Sequence, residues 1–336
     1  MPLRQIEVVI PEEGKRISEE LINDDSVEHF WQDKSSLQSG YLIKVLVDAA
    51  HSEIYLDKAE KLLGNIKNYR LVMLSVDATL PRIEEPEKEE QKKDDSPFWE
   101  QPLKGLGISR EELYSSITNG IGLSRIYMAM VVLSTIVAAL GILRDNTAVV
   151  IGAMVIAPLL APNVGLALAT TLGDAKLGWL SLRSNLAGLS AALVISMVLG
   201  FFMQVDESLY QIASRTEVHL SDITLALASG AAGVLAYTVG MSTAVIGVMV
   251  AVALLPPLVT AGLLLGDMQW ELSIFAFLLL MTNVICVNLS AVTTFILQGI
   301  RPRTWYETEN AKRANKIALT LWISLLLVVI LIIYYI

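Results

Sequence analysis

The sequence predicts a multi-pass α-helical membrane protein preceded by a small α+β domain, and three observations carry that reading. Of the 336 residues, 54 % are hydrophobic and 18 % charged, whereas a soluble chain carries about 25 % charged residues. Mean hydropathy is +0.55. Charge is unevenly placed: Met1 to about Ser124 is rich in Glu, Asp and Lys, and beyond it long apolar runs alternate with short polar gaps. A shift of this kind marks a domain boundary. Finally, seven of those runs approach the roughly 20 apolar residues that a membrane helix needs.

The first 80 residues form the soluble part. Arg4 to Ile10 alternates as a strand, Glu12 to Ile22 has helical spacing, and Val27 to Trp31 is a second strand. Tyr41 to Val47, rich in β-branched residues, is the clearest strand. Ser52 is placed to cap a helix holding Ile54, Leu56, Ala59, Leu62 and Leu63, which Gly64 ends, and Tyr69 to Val76 is the last strand. The order βαββαβ is the split, ferredoxin-like plan. It is shared by small regulatory modules of the ACT and PII type, but it does not by itself fix a function.

Residues 81–104 read as a mobile linker: Pro81 to Pro102 holds eight acidic side chains against Arg82, Lys88, Lys92 and Lys93, a composition that buries little apolar surface. In 105–125, Ser109 caps a helix whose first turn carries Glu111 and Glu112, favourable to the helix dipole. Leu113, Ile117 and Ile121 share one face, expected to lie along the membrane surface.

The transmembrane domain is read as 126–336. Its spans are Ile126–Leu143, Thr147–Leu172, Leu182–Met203, Ile223–Val239, Thr243–Leu265, Leu272–Leu297 and Ile317–Tyr335. With the N-terminus inside, the inner flanks hold Lys104, Arg110, Arg125, Lys176, Arg183, Arg301, Arg303, Lys312, Arg313 and Lys316. The outer side holds Arg144 and Arg215. The positive-inside rule then predicts a plasma (inner) membrane protein with a cytoplasmic N-terminus and an outside C-terminus. Met1-Pro2 is followed by charged sequence without the apolar core of a secretory signal, so internal segments are expected to drive insertion.

An internal repeat organises these spans. Thr147 to Met154 matches Thr243 to Met249 after a one-residue gap, and Leu159-Leu160-Ala161-Pro162 matches Leu254-Leu255-Pro256-Pro257. The copies end at Gly173-Asp174 and Gly266-Asp267. Each copy is the middle span of three, giving repeats over about 126–203 and 223–297 and a closing helix at 317–335. Because three is odd, the second triplet runs in the opposite sense. Inverted repeats recur in secondary transporters, with the site near the midplane where the repeats meet.

Proline interrupts both middle spans, Pro158 and Pro162 in the first and Pro256 and Pro257 in the second. A proline removes a backbone donor and clashes one turn back, and in hydrocarbon the freed carbonyls must find protein or water. Asn163 follows Pro162; the sixth span adds Asn283 and Asn288 with Ser290, Thr293 and Thr294, and the third adds Asn185. The candidate solute or ion site is therefore Pro158, Pro162, Asn163, Pro256, Pro257, Thr260, Asn283 and Asn288. The competing reading makes the prolines structural and the asparagines interhelical glue. Gly152, Gly165, Gly247 and Gly262 are expected at close helix contacts.

The spans lack a central ionisable residue: Asp145, Asp174, Asp222 and Asp267 lie at span ends. A midplane carboxylate relay is thereby disfavoured, and an ion-coupled mechanism would use a Na⁺-like site of carbonyls, Asn and Ser/Thr. His29, His51 and His219 are scattered, and the single cysteine, Cys286, lies in an apolar run, so neither a metal site nor a disulfide framework is read. No nucleophile elbow, Walker A loop or paired catalytic carboxylates stand out. The expectation is a protein that is not an enzyme and takes no cofactor. The net charge of −9 and the lack of a basic, aromatic-interleaved arm argue against a nucleic-acid partner.

Ser109 to Tyr114, Leu133 to Gly141, Ala148 to Pro162, Asn283 to Leu289 and Gly299 to Trp305 together resemble the domain-of-unknown-function 389 family of prokaryotic hydrophobic proteins. The resemblance covers nearly the whole chain. It implies a membrane location and transfers no binding or catalytic residue. Two functions are carried forward. One is a transporter or channel-like protein for a small polar or anionic solute or ion. The other is a membrane-anchored sensor or assembly protein whose ferredoxin-like domain binds a ligand or partner. The lipid bilayer is the expected surrounding, and pairing of the soluble sheets would make a homo-oligomer.

Overall fold

The computed structural model describes residues 3–11, 15–24, 26–35, 40–64, 66–76, 109–241, 243–300 and 305–335. The linker expected at 81–104 lies outside them. The chain divides into two compact units, Met1–Glu112 and Leu113–Ile336.

In the first unit β1 (Leu3–Pro11), α1 (Lys15–Ile22), β2 (Val27–Ser35), β3 (Gly40–Asp48), α2 (Ala49–Leu63) and β4 (Arg70–Val76) follow the expected order. The four strands form one antiparallel sheet in the order β2-β3-β1-β4. Alternation explains the core. Ile6, Val8 and Ile10 of β1 and Ile43, Val45 and Val47 of β3 are buried, as period-two side chains on one sheet face must be. Leu21 of α1 and Tyr55, Leu56, Ala59 and Leu63 of α2 complete that core. Arg4 shares the buried face of β1, and its guanidinium donates to both carboxylate oxygens of Glu112 at 2.9 and 3.2 Å. Ser52 is not the N-cap of α2. It lies one turn inside, where its hydroxyl donates to the Ala49 carbonyl at 2.7 Å; the helix starts directly from Asp48 at the end of β3.

The second unit is helical: α3 (Arg110–Ile121, whose first turn belongs to the first unit), α4 (Arg125–Leu143), α5 (Thr147–Ile156), α6 (Leu160–Leu172), α7 (Ala175–Phe202), α8 (Tyr210–Thr216), α9 (Leu220–Thr238), α10 (Thr243–Gly266), α11 (Trp270–Leu297) and α12 (Trp305–Tyr335). Side-chain caps set several starts. Ser109 accepts from the Glu112 amide, Ser124 from Tyr127, Asn146 from Val149, and Asp174 from Lys176 and Leu177. Among the described residues, α4, α7, α9, α11 and Ala311–Tyr335 of α12 are long and apolar enough to cross a membrane. The pair α5 and α6, bent by 51°, makes a sixth if taken as one span.

The apolar face of α3 is not open to a membrane surface. Leu113, Ile117 and Ile121 are buried, Ser184 of α7 donates to the Ile121 carbonyl at 2.6 Å, and Tyr114 donates to Asp174 at 2.9 Å. The amphipathic pattern was satisfied by protein, which offers both a dry surface and hydrogen-bond partners.

Glycine places the helices close together, at positions only partly foreseen. A Cβ on Gly165 would meet Ile121 and Ser181, and one on Gly262 would meet Ser196 at 2.8 Å. Among the described residues nothing lies within 4 Å of a Cβ on Gly152, and the surroundings of Gly247 fall outside them. The tightest approach joins α7 to α10: a Cβ on Gly200 would lie 2.8 Å from the Leu263 Cα, and one on Gly266 would lie 2.7 Å from the Phe201 nitrogen. The two Gly-Asp pairs have thus diverged. Gly173 closes α6 in a left-handed conformation (φ 71°); Gly266 is kept for contact, and Met268 supplies the left-handed residue there (φ 64°).

Candidate functional site

The two proline-bearing segments behave differently. In the first, α5 ends at Ile156 and α6 begins at Leu160. Ala157, which precedes Pro158, is extended (φ −67°, ψ 120°), the conformation that a following proline ring favours. Pro158 sits in the break, whereas Pro162 occupies the first turn of α6, where a missing amide hydrogen costs little. The break thus belongs to Pro158.

In the second segment α10 is one helix through Pro256 and Pro257, so the expected break there does not form. Pro257 leaves the Ala253 carbonyl, four residues back, without its helical donor. That carbonyl accepts instead from the Asn283 side-chain amide of α11 at 2.7 Å. A buried carbonyl left unpaired costs about 1–3 kcal/mol, so Asn283 removes much of the penalty for keeping the helix continuous.

Three asparagines from three helices meet in the interior. The Asn163 Oδ1 accepts from Asn185 of α7 at 2.9 Å and from Asn288 of α11 at 3.2 Å, while its own amide donates to the Leu159 carbonyl at 2.9 Å beside the break. Asn288 also donates to the Val284 carbonyl at 2.8 Å. All three residues are buried. The Oδ1 atoms of Asn185 and Asn288, with the Thr260 hydroxyl, have no hydrogen-bond partner among the described residues. Oxygens free to accept, with no charged side chain among them, suit a bound donor or a small cation.

A separate cavity of about 150 Å³ opens along one face of α9. Asp222, Leu225, Ala226 and Ser229 line it at helical spacing, joined by Ser214 and Arg215 of α8, Ala253 and Pro257 of α10, and Leu279 and Asn283 of α11. Of the candidate residues, Pro257 and Asn283 line this cavity. Asn163 and Asn288 belong to the asparagine cluster, and Pro158, Pro162, Pro256 and Thr260 are not in the lining. Sequence reasoning missed Arg215, Asp222 and Ser229. The last two were detectable as polar members of the i, i+3, i+4, i+7 face of α9. Arg215 was not, because α8 is a short helix within a polar connection. Burial pushes the Arg215 guanidinium down to about 10, with Tyr210 and Asp145 opposing that shift; it stays charged at neutral pH. Its Nη1 donates to the Gln211 carbonyl and to Ser214.

Several long apolar helices around a polar interior define a polytopic helical protein compatible with a membrane. The family model described as Domain of unknown function (DUF389) matches residues 154–289, the stretch from α5 to α11 that holds the break and the asparagine cluster. An uncharacterized protein of Methanocaldococcus jannaschii is 35 % identical over 335 residues, with 100 % of both chains covered. The chain belongs to the DUF389 family. No solved structure matches it.

Proposed function

We propose that this chain is a transporter or channel-like protein for a small polar or anionic solute or ion. The observation that carries the reading is the polar interior at the proline-bearing helices, where Asn163, Asn185 and Asn288 converge and Asn283 answers the carbonyl freed by Pro257. Polar side chains inside apolar helices are costly to keep without a role. Buried oxygens with no partner leave capacity for one.

In this reading α10 is a further span, making seven, and α4 to α7 and α9 to α11 are inverted triplets. The helix pairings support it. α7 packs on α10 as α6 packs on α11, α6 on α7 as α10 on α11, and α4 on α5 and α7 as α9 on α10 and α11. By the positive-inside rule the charge pattern supports a cytoplasmic N-terminus and a C-terminus outside a plasma membrane, an orientation in which the α9 cavity would face outward. The strand order β2-β3-β1-β4 fits a ferredoxin-like module. Its edge strand β2 exposes Phe30 and Trp31, each 48 % accessible, an edge that pairs with no further strand among the described residues and is suited to joining a second copy. The same edge is what favours the alternative, a membrane-anchored sensor or assembly protein.

The test is flux of ions and small metabolites into liposomes holding the purified protein. Asn163→Leu and Asn288→Leu should each lower flux at least about tenfold, the effect of losing a buried polar contact. Flux unchanged in both would remove the asparagine cluster from the pathway; no flux of any solute, with a ligand bound by the N-terminal unit, would favour the sensor.

A further inference from the structure

We infer that the α9 cavity is a binding site for a small zwitterion, a solute carrying one carboxylate and one ammonium group, as amino acids do. The inference rests on the transport reading for the solute's onward path, and on the cavity itself for its chemistry. Two formal charges line that cavity, Arg215 and Asp222, and they are of opposite sign. Neither forms a side-chain ion pair among the described residues. The wall itself thus carries a net charge of zero and a fixed dipole, with Asp145 acting on Arg215 from outside the lining. A simple anion would be attracted by Arg215 and opposed by Asp222; a simple cation would meet the reverse. A zwitterion oriented along the dipole satisfies both.

The remaining lining agrees. Ser214, Ser229 and Asn283 add neutral polar groups, and Leu225, Leu279 and Pro257 supply apolar wall for a short side chain. The volume of about 150 Å³ suits a molecule of that size. The Arg215 Nη1 is engaged by Gln211 and Ser214, which leaves Nε and Nη2 as the donors for a carboxylate. One oxygen of Asp222 is already engaged, accepting from the His219 amide at 2.8 Å, which fixes the side chain at the start of α9. From Asp222 to Ser229 the cavity follows α9 for two turns, about 10 Å. Its lining includes Asn283, which holds the carbonyl freed by Pro257, so the solute would lie against the proline-bearing helix.

Equilibrium binding of radiolabelled alanine and leucine to the full-length protein in lipid nanodiscs tests the site. Propionate and ethylamine serve as the two half-charged analogues. At least one amino acid should bind, and at least about tenfold more tightly than either analogue. Arg215→Gln and Asp222→Asn should each weaken it about tenfold or more. Asn at 222 keeps an acceptor for the His219 amide, so α9 remains capped. Ser229→Leu, which fills the cavity and leaves both charges in place, should abolish binding, and a thermal midpoint unchanged from the parent in all three variants separates lost recognition from misfolding. Propionate binding as tightly as alanine and indifferent to Asp222→Asn would overturn the zwitterion in favour of an anion. Absence of binding by both amino acids would overturn it outright. Flux separates the two proposals: binding without flux removes transport and leaves this site, whereas flux of simple ions without amino-acid binding does the opposite.

Discussion

Gly200→Ala should destabilise the helical unit by about 1–3 kcal/mol, the usual penalty for forcing a methyl group into a packed interior, a loss that side-chain motion does not recover. The added carbon would meet the Leu263 carbonyl and lie 2.8 Å from the Leu263 Cα. These are backbone atoms of α10, so the two helices must separate rather than a rotamer turn. Gly152→Ala is the matched control. It adds the same methyl to an apolar helix where, among the described residues, nothing lies within 4 Å, and helix propensity alone favours it by up to about 1 kcal/mol. Thermal unfolding of the two variants in one detergent should move in opposite directions. Equal midpoints would mean that α7 and α10 do not meet as described.

A second large effect is expected at Pro257 and Asn283, and it is one of coupling. Asn283→Leu should cost about 1–3 kcal/mol, because the Ala253 carbonyl loses its donor and no helical amide can replace it. In a Pro257→Ala background that amide returns, and the helix can bond the carbonyl itself. The cost of Asn283→Leu should then fall by at least about 1 kcal/mol, the kind of non-additivity a double-mutant cycle resolves. Unfolding of the four proteins in detergent measures it. Additive penalties would show that Asn283 does not compensate for the proline.

These two experiments touch the features that were hardest to read from sequence. Both proline pairs looked alike as helix breakers, yet Pro158 marks a 51° bend while Pro256 and Pro257 lie inside a continuous α10. In α10 the carbonyl freed by Pro257 finds another donor. Asn283, thirty residues from Ala253 along the chain, provides one. Gly152 and Gly200 show the same limit. Both are glycines in apolar helices, and only the neighbouring backbone distinguishes open space from close contact.

Local chemistry was legible. Long apolar runs have few alternatives to helix, so α4 and α11 begin within two residues of the expected spans and end where expected. Alternation of β-branched residues marked β1 and β3, and Ser109 announced the start of α3. Membership of the family was legible too, since it rests on residue identity.

Tertiary structure alone decided which polar groups meet. Asn163 and Asn288 are 125 positions apart and share a hydrogen bond. Arg215 and Asp222 share a cavity wall with Asn283 because α8, α9 and α11 pack around one space. Sequence determined that this protein is a polytopic helical chain with an antiparallel α+β unit, because helix and strand formation answer to neighbours a few residues away. The site was left to packing, because a hydrogen bond or a cavity is a relation between helices whose register the sequence pattern does not state.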